Sequence, residues 1–327
     1  MLYPWKQCLT PLLLPAISPA RKSTKLCSSW SLHFTREVQS NKFVVNSLES
    51  AWNNLKKQAV WRLRAGIREY QSIETKTGII MKINKDYSSP NYSTRTKKIE
   101  YIIIHFTDMP FQESLETLCD PKAQVSSHYL LREDGEIFQL VDPRFIAWHA
   151  GVSSWHGLEK LNENSIGIEI ANSGTEEFSK QQMVTVVELC KVLSAQYDIP
   201  KINILGHSDI APNRKIDPGV FFEWKLLAEH NLGKWYDIEI PKTSEILFSF
   251  GNEGSKIRNM QEKLGKLGYK IEVTGKFDWQ TNYVIRAFQS HYNPDIILKK
   301  GISYYRDLQS VYEWDECSQE ILESLIR

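Results

Sequence analysis

The run Ile99-Glu100-Tyr101-Ile102-Ile103-Ile104-His105-Phe106 carries more structural information than any other in the chain. A β-branched, nearly continuous apolar run of this kind reads as a strand buried on both faces. Working outward, Ser165–Ile170 alternates apolar side chains around Gly167 and Glu169, and Ile202–Leu205 is a third apolar run. Tyr129-Leu130-Leu131 and the run 137–141 flank Glu133-Asp134-Gly135, which predicts a β-hairpin. Helices are expected at 112–119, at 179–197 with Ser179 as cap and Pro200 beyond its end, and at 220–230. Strands interleaved with covering helices predict an α/β domain with a mixed β-sheet flanked by helices over residues 95–238.

Chemistry gathers where these strands end. His105 closes the first run, His207 follows Ile204-Leu205-Gly206, and Asp217 lies in Lys215-Ile216-Asp217-Pro218-Gly219. Two imidazoles and a carboxylate are a suitable donor set for catalytic zinc, which keeps a fourth position for water. Water held there ionises near pH ~7. Spacing alone does not join His105 to His207, and a lone histidine at a strand end is more often a hydrogen-bonded structural residue. Glu169 interrupts a core-like strand, where a charge is costly unless paired or protonated. It reads either as a general base tuned by burial or as a residue on a half-exposed face. Lys215 could stabilise an oxyanion or lie on the surface beside Arg214.

Charge is divided unevenly. Residues 1–98 hold 17 Lys/Arg against 5 Asp/Glu, while the remaining chain holds 23 against 34, so the net +1 hides a basic leader and an acidic body. The body's field would repel phosphates, so no nucleic-acid partner is expected. No stretch reaches eighteen apolar residues, and no transmembrane segment is expected. Five scattered cysteines without a CxxC pair offer neither a disulfide framework nor a thiolate metal site. Residues 1–45 are acid-poor, with Leu12-Leu13-Leu14 bracketed by prolines. They read as an unstructured extension in preference to a weak signal peptide or a transit peptide. Residues 46–94 comprise an amphipathic helix over 46–71, capped by Asn46, and a linker. Its basic face suits an anionic membrane surface or, preferably, packing on the acidic body.

Three segments taken together carry a resemblance. Ile102-Ile103-Ile104-His105-Phe106-Thr107, Asn164–Glu169 and the long contiguous run Gly206-His207-Ser208-Asp209-Ile210-Ala211-Pro212-Asn213-Arg214-Lys215-Ile216-Asp217-Pro218-Gly219 closely resemble the zinc-dependent N-acetylmuramoyl-L-alanine amidases of the AmpD/AmiD type. The resemblance implies Zn²⁺ on His105, His207 and Asp217, a catalytic carboxylate at Glu169 and a transition-state lysine at Lys215. It further implies substrate contacts at His128, Trp148, His149, Asn172 and Arg214. Some distant relatives carry a catalytic tyrosine where Ser127 stands, a role that Glu169 would take over here. The implied reaction is hydrolysis of the amide between N-acetylmuramic acid and L-alanine in peptidoglycan or muropeptides.

Residues 242–327 follow Pro241 and a polar linker. Leu264-Gly265-Lys266-Leu267-Gly268-Tyr269, Thr274-Gly275-Lys276-Phe277-Asp278 and Ala287-Phe288-Gln289 resemble a small three-helix peptidoglycan-binding domain. Beside an amidase it would tether the enzyme to an insoluble polymer, with a secreted or periplasmic location and a monomeric state. Two alternatives remain: a non-catalytic peptidoglycan receptor, and a cytoplasmic amidase that recycles anhydromuropeptides.

Overall fold

The computed structural model of the protein describes residues 69–74, 80–240 and 244–327. The strands are β1 (Tyr70–Glu74), β2 (Ile80–Asn84), β3 (Tyr92–Thr94), β4 (Tyr101–Phe106), β5 (Tyr129–Leu131), β6 (Ile137–Gln139), β7 (Phe145–Ala147), β8 (Ser154–Trp155), β9 (Leu158–Glu159), β10 (Ser165–Ile170), β11 (Ile204–Gly206), β12 (Ile246–Ser249) and β13 (Glu313–Asp315). The helices are α1 (Phe111–Leu118), α2 (Lys180–Tyr197), α3 (His207–Ile210), α4 (Trp224–Glu229), α5 (Ser255–Leu267), α6 (Trp279–Tyr292), α7 (Pro294–Leu298), α8 (Ile302–Arg306) and α9 (Glu316–Leu325).

Seven strands form one mixed sheet in the order β1-β2-β6-β5-β10-β4-β11. At its centre β4, β10 and β11 run parallel, and β5 joins β10 in parallel before turning antiparallel into β6. Every residue of β4 and of β10 is buried, as their apolar runs predict. Period-two alternation divides them between faces. Ile102, Ile104, Phe106, Ile166, Ile168 and Ile170 pack with Met183, Val186, Val187, Cys190 and Leu193 of α2 and with Trp224 and Leu227 of α4. Ser179 caps α2 through a reciprocal box with Gln182, both contacts at 3.0 Å.

The opposite face presents Tyr101, Ile103 and His105 beside Ser165, Gly167 and Glu169. Here Tyr101, Ile103, Leu205, Ile210 and Val220 share one apolar cluster with Ile257, Met260, Leu264, Phe288, Trp314, Ile321 and Leu322 of the C-terminal helices. That region is built on α5, α6 and α9, with the short α7 and α8 and the β12–β13 pair added. The C-terminal helices therefore pack on the sheet. The amphipathic faces of α5 and α6 are completed by the sheet, so the two regions share a core.

Other differences are local. The expected helix over 46–71 and the leader 1–45 lie outside the described residues except at its last three positions, where Tyr70 and Gln71 are already in β1. The expected linker contains β1, β2 and β3; β2 pairs with β6, which buries Met81 and Ile83. Ile202 is 59% exposed and precedes β11 rather than belonging to it. The helix expected at 220–230 starts at Trp224, since Val220 and Phe222 are buried in a turn after Pro218-Gly219.

Candidate metal centre and active site

Sheet register sets the first two groups. On adjacent parallel strands, Glu169 stands opposite His105, and paired positions face the same way. On the other side of β4, β11 ends at Gly206 and delivers His207 as the first residue of α3. The chain then loops back so that the carbonyl of Asp217 accepts the Ser208 N–H at 2.8 Å, and the Asp217 side chain meets the two imidazoles.

Three donor atoms converge there. His105 Nδ1 lies 2.9 Å from His207 Nδ1 and 2.9 Å from Asp217 Oδ2, and His207 Nδ1 is 3.0 Å from the same carboxylate oxygen. All three residues are buried. His207 Nε2 sits 3.1 Å from the Ala150 carbonyl; donating there leaves a lone pair on Nδ1 of the neutral ring. Burial pushes the His207 imidazole down to about 3 and lowers that of His105 against the pull of Asp217. Burial alone would raise the Asp217 carboxyl, yet His207, His105 and Lys215 hold it well below the usual carboxylate range. Two neutral ring nitrogens and an ionised carboxylate so placed have too few protons for three mutual contacts. A cation among them satisfies all three, and these are the protonation states a metal requires. The donor set fits a metal ion.

Glu169 borders this group, with Oε1 4.0 Å from His105 Nδ1. Its Oε2 is buried without a hydrogen-bond partner. Burial, reinforced by Asp217 and opposed by Lys215, pushes its carboxyl well above the usual range. An unsatisfied, poised carboxyl suits proton transfer to a group that enters the site. Lys215 is half-buried, and its charge acts on both carboxyls.

The five expected substrate contacts fare differently. His128 is fully buried: its Nδ1 accepts the Gly167 N–H at 3.0 Å, and its Nε2 meets the Phe145 carbonyl and Arg95. It is 0% exposed, and its ring nitrogens are engaged by these protein groups. His149, also buried, sets its Nδ1 3.1 Å from His105 Nε2, on the far side of that ring from Nδ1. Asn172 is committed to its own loop, accepting the Gly174 N–H at 2.7 Å. Arg214 holds the Ala150–Val152 loop through both carbonyls. Trp148 is half-buried, with its ring N–H on Ser93 at 2.9 Å. Ser127 is buried and donates to the Gly167 carbonyl at 2.8 Å.

One cue for His149 was present in the sequence. Gly167 breaks a β-branched strand, and a glycine there marks a close approach. A Cβ at Gly167 would lie 2.7 Å from His149 Nδ1.

Comparison with known proteins follows the same division of the chain. Residues 95–220 match a family model described as N-acetylmuramoyl-L-alanine amidase, and residues 253–296 match one described as a peptidoglycan binding domain. N-acetylmuramoyl-L-alanine amidase AmiD of Escherichia coli (strain K12) is 35% identical over 221 residues, which span 61% of this chain and 76% of that protein. The 1,6-anhydro-N-acetylmuramyl-L-alanine amidase AmpD of Haemophilus influenzae is 35% identical over 162 residues, 43% of this chain and 88% of that one. Among solved structures, E. coli AmiD with the substrate anhydro-N-acetylmuramic acid-L-Ala-D-gamma-Glu-L-Lys superposes with a TM-score of 0.58 at 32% identity, covering 70% of this chain and 89% of that one. Pseudomonas aeruginosa AmpDH3 in complex with anhydromuramic pentapeptide gives a TM-score of 0.53 at 28% identity, over 72% of this chain and 95% of that one. The chain belongs to the N-acetylmuramoyl-L-alanine amidase family.

Proposed function

We propose that this chain is a zinc hydrolase that cleaves the amide between N-acetylmuramic acid and L-alanine in peptidoglycan or muropeptides. The observation that carries the reading is the meeting of His105 Nδ1, His207 Nδ1 and Asp217 Oδ2 within 3.0 Å beside an unpartnered Glu169 oxygen. His105, His207 and Asp217 would hold the zinc, which when bound would supply a Lewis acid able to polarise a carbonyl and acidify water to near neutral pH. Glu169 accepts the proton of the attacking water and returns it to the leaving alanine nitrogen. Its raised proton affinity suits both transfers. Lys215 offsets the negative charge that develops on the carbonyl oxygen. Trp148 and Arg214 flank the approach, Arg214 by fixing the loop that follows His149.

The amidase region on this reading spans 95–238, and residues 242–327 bind the wall. The match to a peptidoglycan binding domain supports the assembled wall as substrate and a secreted or periplasmic site of action. No helix among the described residues is long and apolar enough to cross a membrane. The test is metal analysis of the purified protein with chromatography of muropeptide digests. The expected result is zinc bound to the wild-type chain, with release of the L-alanine-terminated peptide, and neither for His207→Ala. A metal-free protein that binds sacculi without releasing peptide would be a receptor instead.

A further inference from the structure

Asp209 stands two residues after His207 on the same short helix and is 1% exposed. Burying a carboxylate is costly unless its oxygens are satisfied, and three donors meet it. The Gly206 N–H reaches Oδ2 at 2.7 Å, His291 Nδ1 reaches the same oxygen at 2.8 Å, and the Tyr269 hydroxyl reaches Oδ1 at 2.8 Å. The first contact closes the turn that carries His207. The other two come from the C-terminal helical region.

Both remote donors are held firmly. The His291 ring lies flat between Trp224 and Tyr292, at 3.8 and 4.0 Å between centroids. Its Nε2 is buried without a partner, so the contact with Asp209 is that ring's one polar tie among the described residues. Tyr269 sets its edge against Trp155 at 5.0 Å.

The same region grips the loop at two further points. Arg286, 1% exposed, donates to the Pro212 carbonyl at 2.8 Å, and the Tyr305 hydroxyl donates to the Ile216 carbonyl at 2.6 Å. The segment 207–217, which supplies two of the three donors, is thus fastened at Asp209, Pro212 and Ile216 from residues 269–305.

We infer that Asp209 is a positioning residue through which the C-terminal region aligns His207 and Asp217, making that region part of the metal centre's scaffold as well as a wall anchor. The inference rests on the metal-dependent reading above. Groups hydrogen-bonded directly to metal ligands typically change metal affinity by ~10–100-fold; Asp209 acts one link further out, through the Gly206 N–H, so the low end of that range is expected.

The test uses the full-length protein with Tyr269→Phe, His291→Phe and Tyr305→Phe; each keeps an aromatic ring, the first two remove one bond apiece, and Tyr305→Phe removes the bonds to Ile216 and Ser290. Zinc affinity is measured by competition with a chromophoric chelator, and the cobalt-substituted protein is examined by visible absorption. The expected result is a roughly tenfold weaker zinc site in the Tyr269→Phe/His291→Phe double variant, with a displaced cobalt band and a smaller change for Tyr305→Phe. If the double variant does not fold, the single variants carry the same readouts. Wild-type zinc affinity and cobalt spectrum in folded variants, with only the melting temperature lowered, would overturn the inference by reducing these bonds to structural ties. A wild-type chain that takes up neither metal would instead remove the reading on which it rests.

Discussion

Ending the chain at residue 240 should unfold the amidase region rather than merely release it from the wall. Tyr101, Ile103, Leu205, Ile210 and Val220 are each 7% exposed or less, and all lie in the cluster shared with the C-terminal helices. Fully burying a large apolar side chain is worth ~1.5–3 kcal/mol, so re-exposing half of each of five costs about 4–8 kcal/mol. Asp209 would also lose the Tyr269 and His291 donors. Such a loss is comparable to the whole stability of a typical domain, ~5–15 kcal/mol. Circular dichroism melts, dye binding and size-exclusion chromatography of the truncated chain are the assays. A soluble, cooperatively melting fragment with undiminished cleavage of soluble muropeptide would refute the reasoning and show the C-terminal region to be an independent module.

Three further outcomes are expected. Glu169→Ala should keep its metal while turnover falls by ~10²–10⁴, measured by elemental analysis and steady-state rates; near wild-type turnover would remove the proton-transfer role. His128 should make the fold acid-sensitive, since burial, aided by Arg95, pushes its imidazole down to about 3. The unfolded chain takes up that proton near pH ~6.5 and the folded one does not, so stability is present above ~6.5 and is lost as pH falls toward 3. From pH 7 to 5 this group contributes a loss of about 2 kcal/mol. Urea melts of wild type and His128→Asn at both pH values should show a correspondingly shallower dependence in the variant. Gly167→Ala should force the His149 ring away from His105, because its Cβ would lie 2.7 Å from Nδ1, and weaken metal retention during dialysis against chelator; unchanged retention would show that His149 gives no support.

The central strands were legible because β4 and β10 are β-branched runs with few competing patterns, and α2 because Ser179 and Gln182 write its start into the sequence. His105, His207 and Asp217 could be grouped only through the resemblance of whole segments. Their separation along the chain says nothing of the parallel register and returning loop that join them. β1 and β2 escaped notice because short strands at and near the edge of a sheet carry weak periodicity and follow a strongly helical pattern. The docking of the C-terminal region was invisible for a different reason. An amphipathic stripe such as Ile257, Met260, Leu264 and Leu267 reports that something covers it, not what. His128 and Arg214 likewise took their partners from loops distant in sequence, where a polar side chain's obligations are set by tertiary neighbours.

Because Glu169 and His105 occupy the same rung of adjoining strands, the spacing of their backbones is a constant of β-structure, set by the ~4.8 Å strand separation. Loops around the mouth can lengthen, shorten or change composition to suit another peptide stem without retuning that spacing. Diversification of specificity and preservation of chemistry are thereby assigned to different parts of the chain, and redesign for a new substrate can leave the two strands untouched.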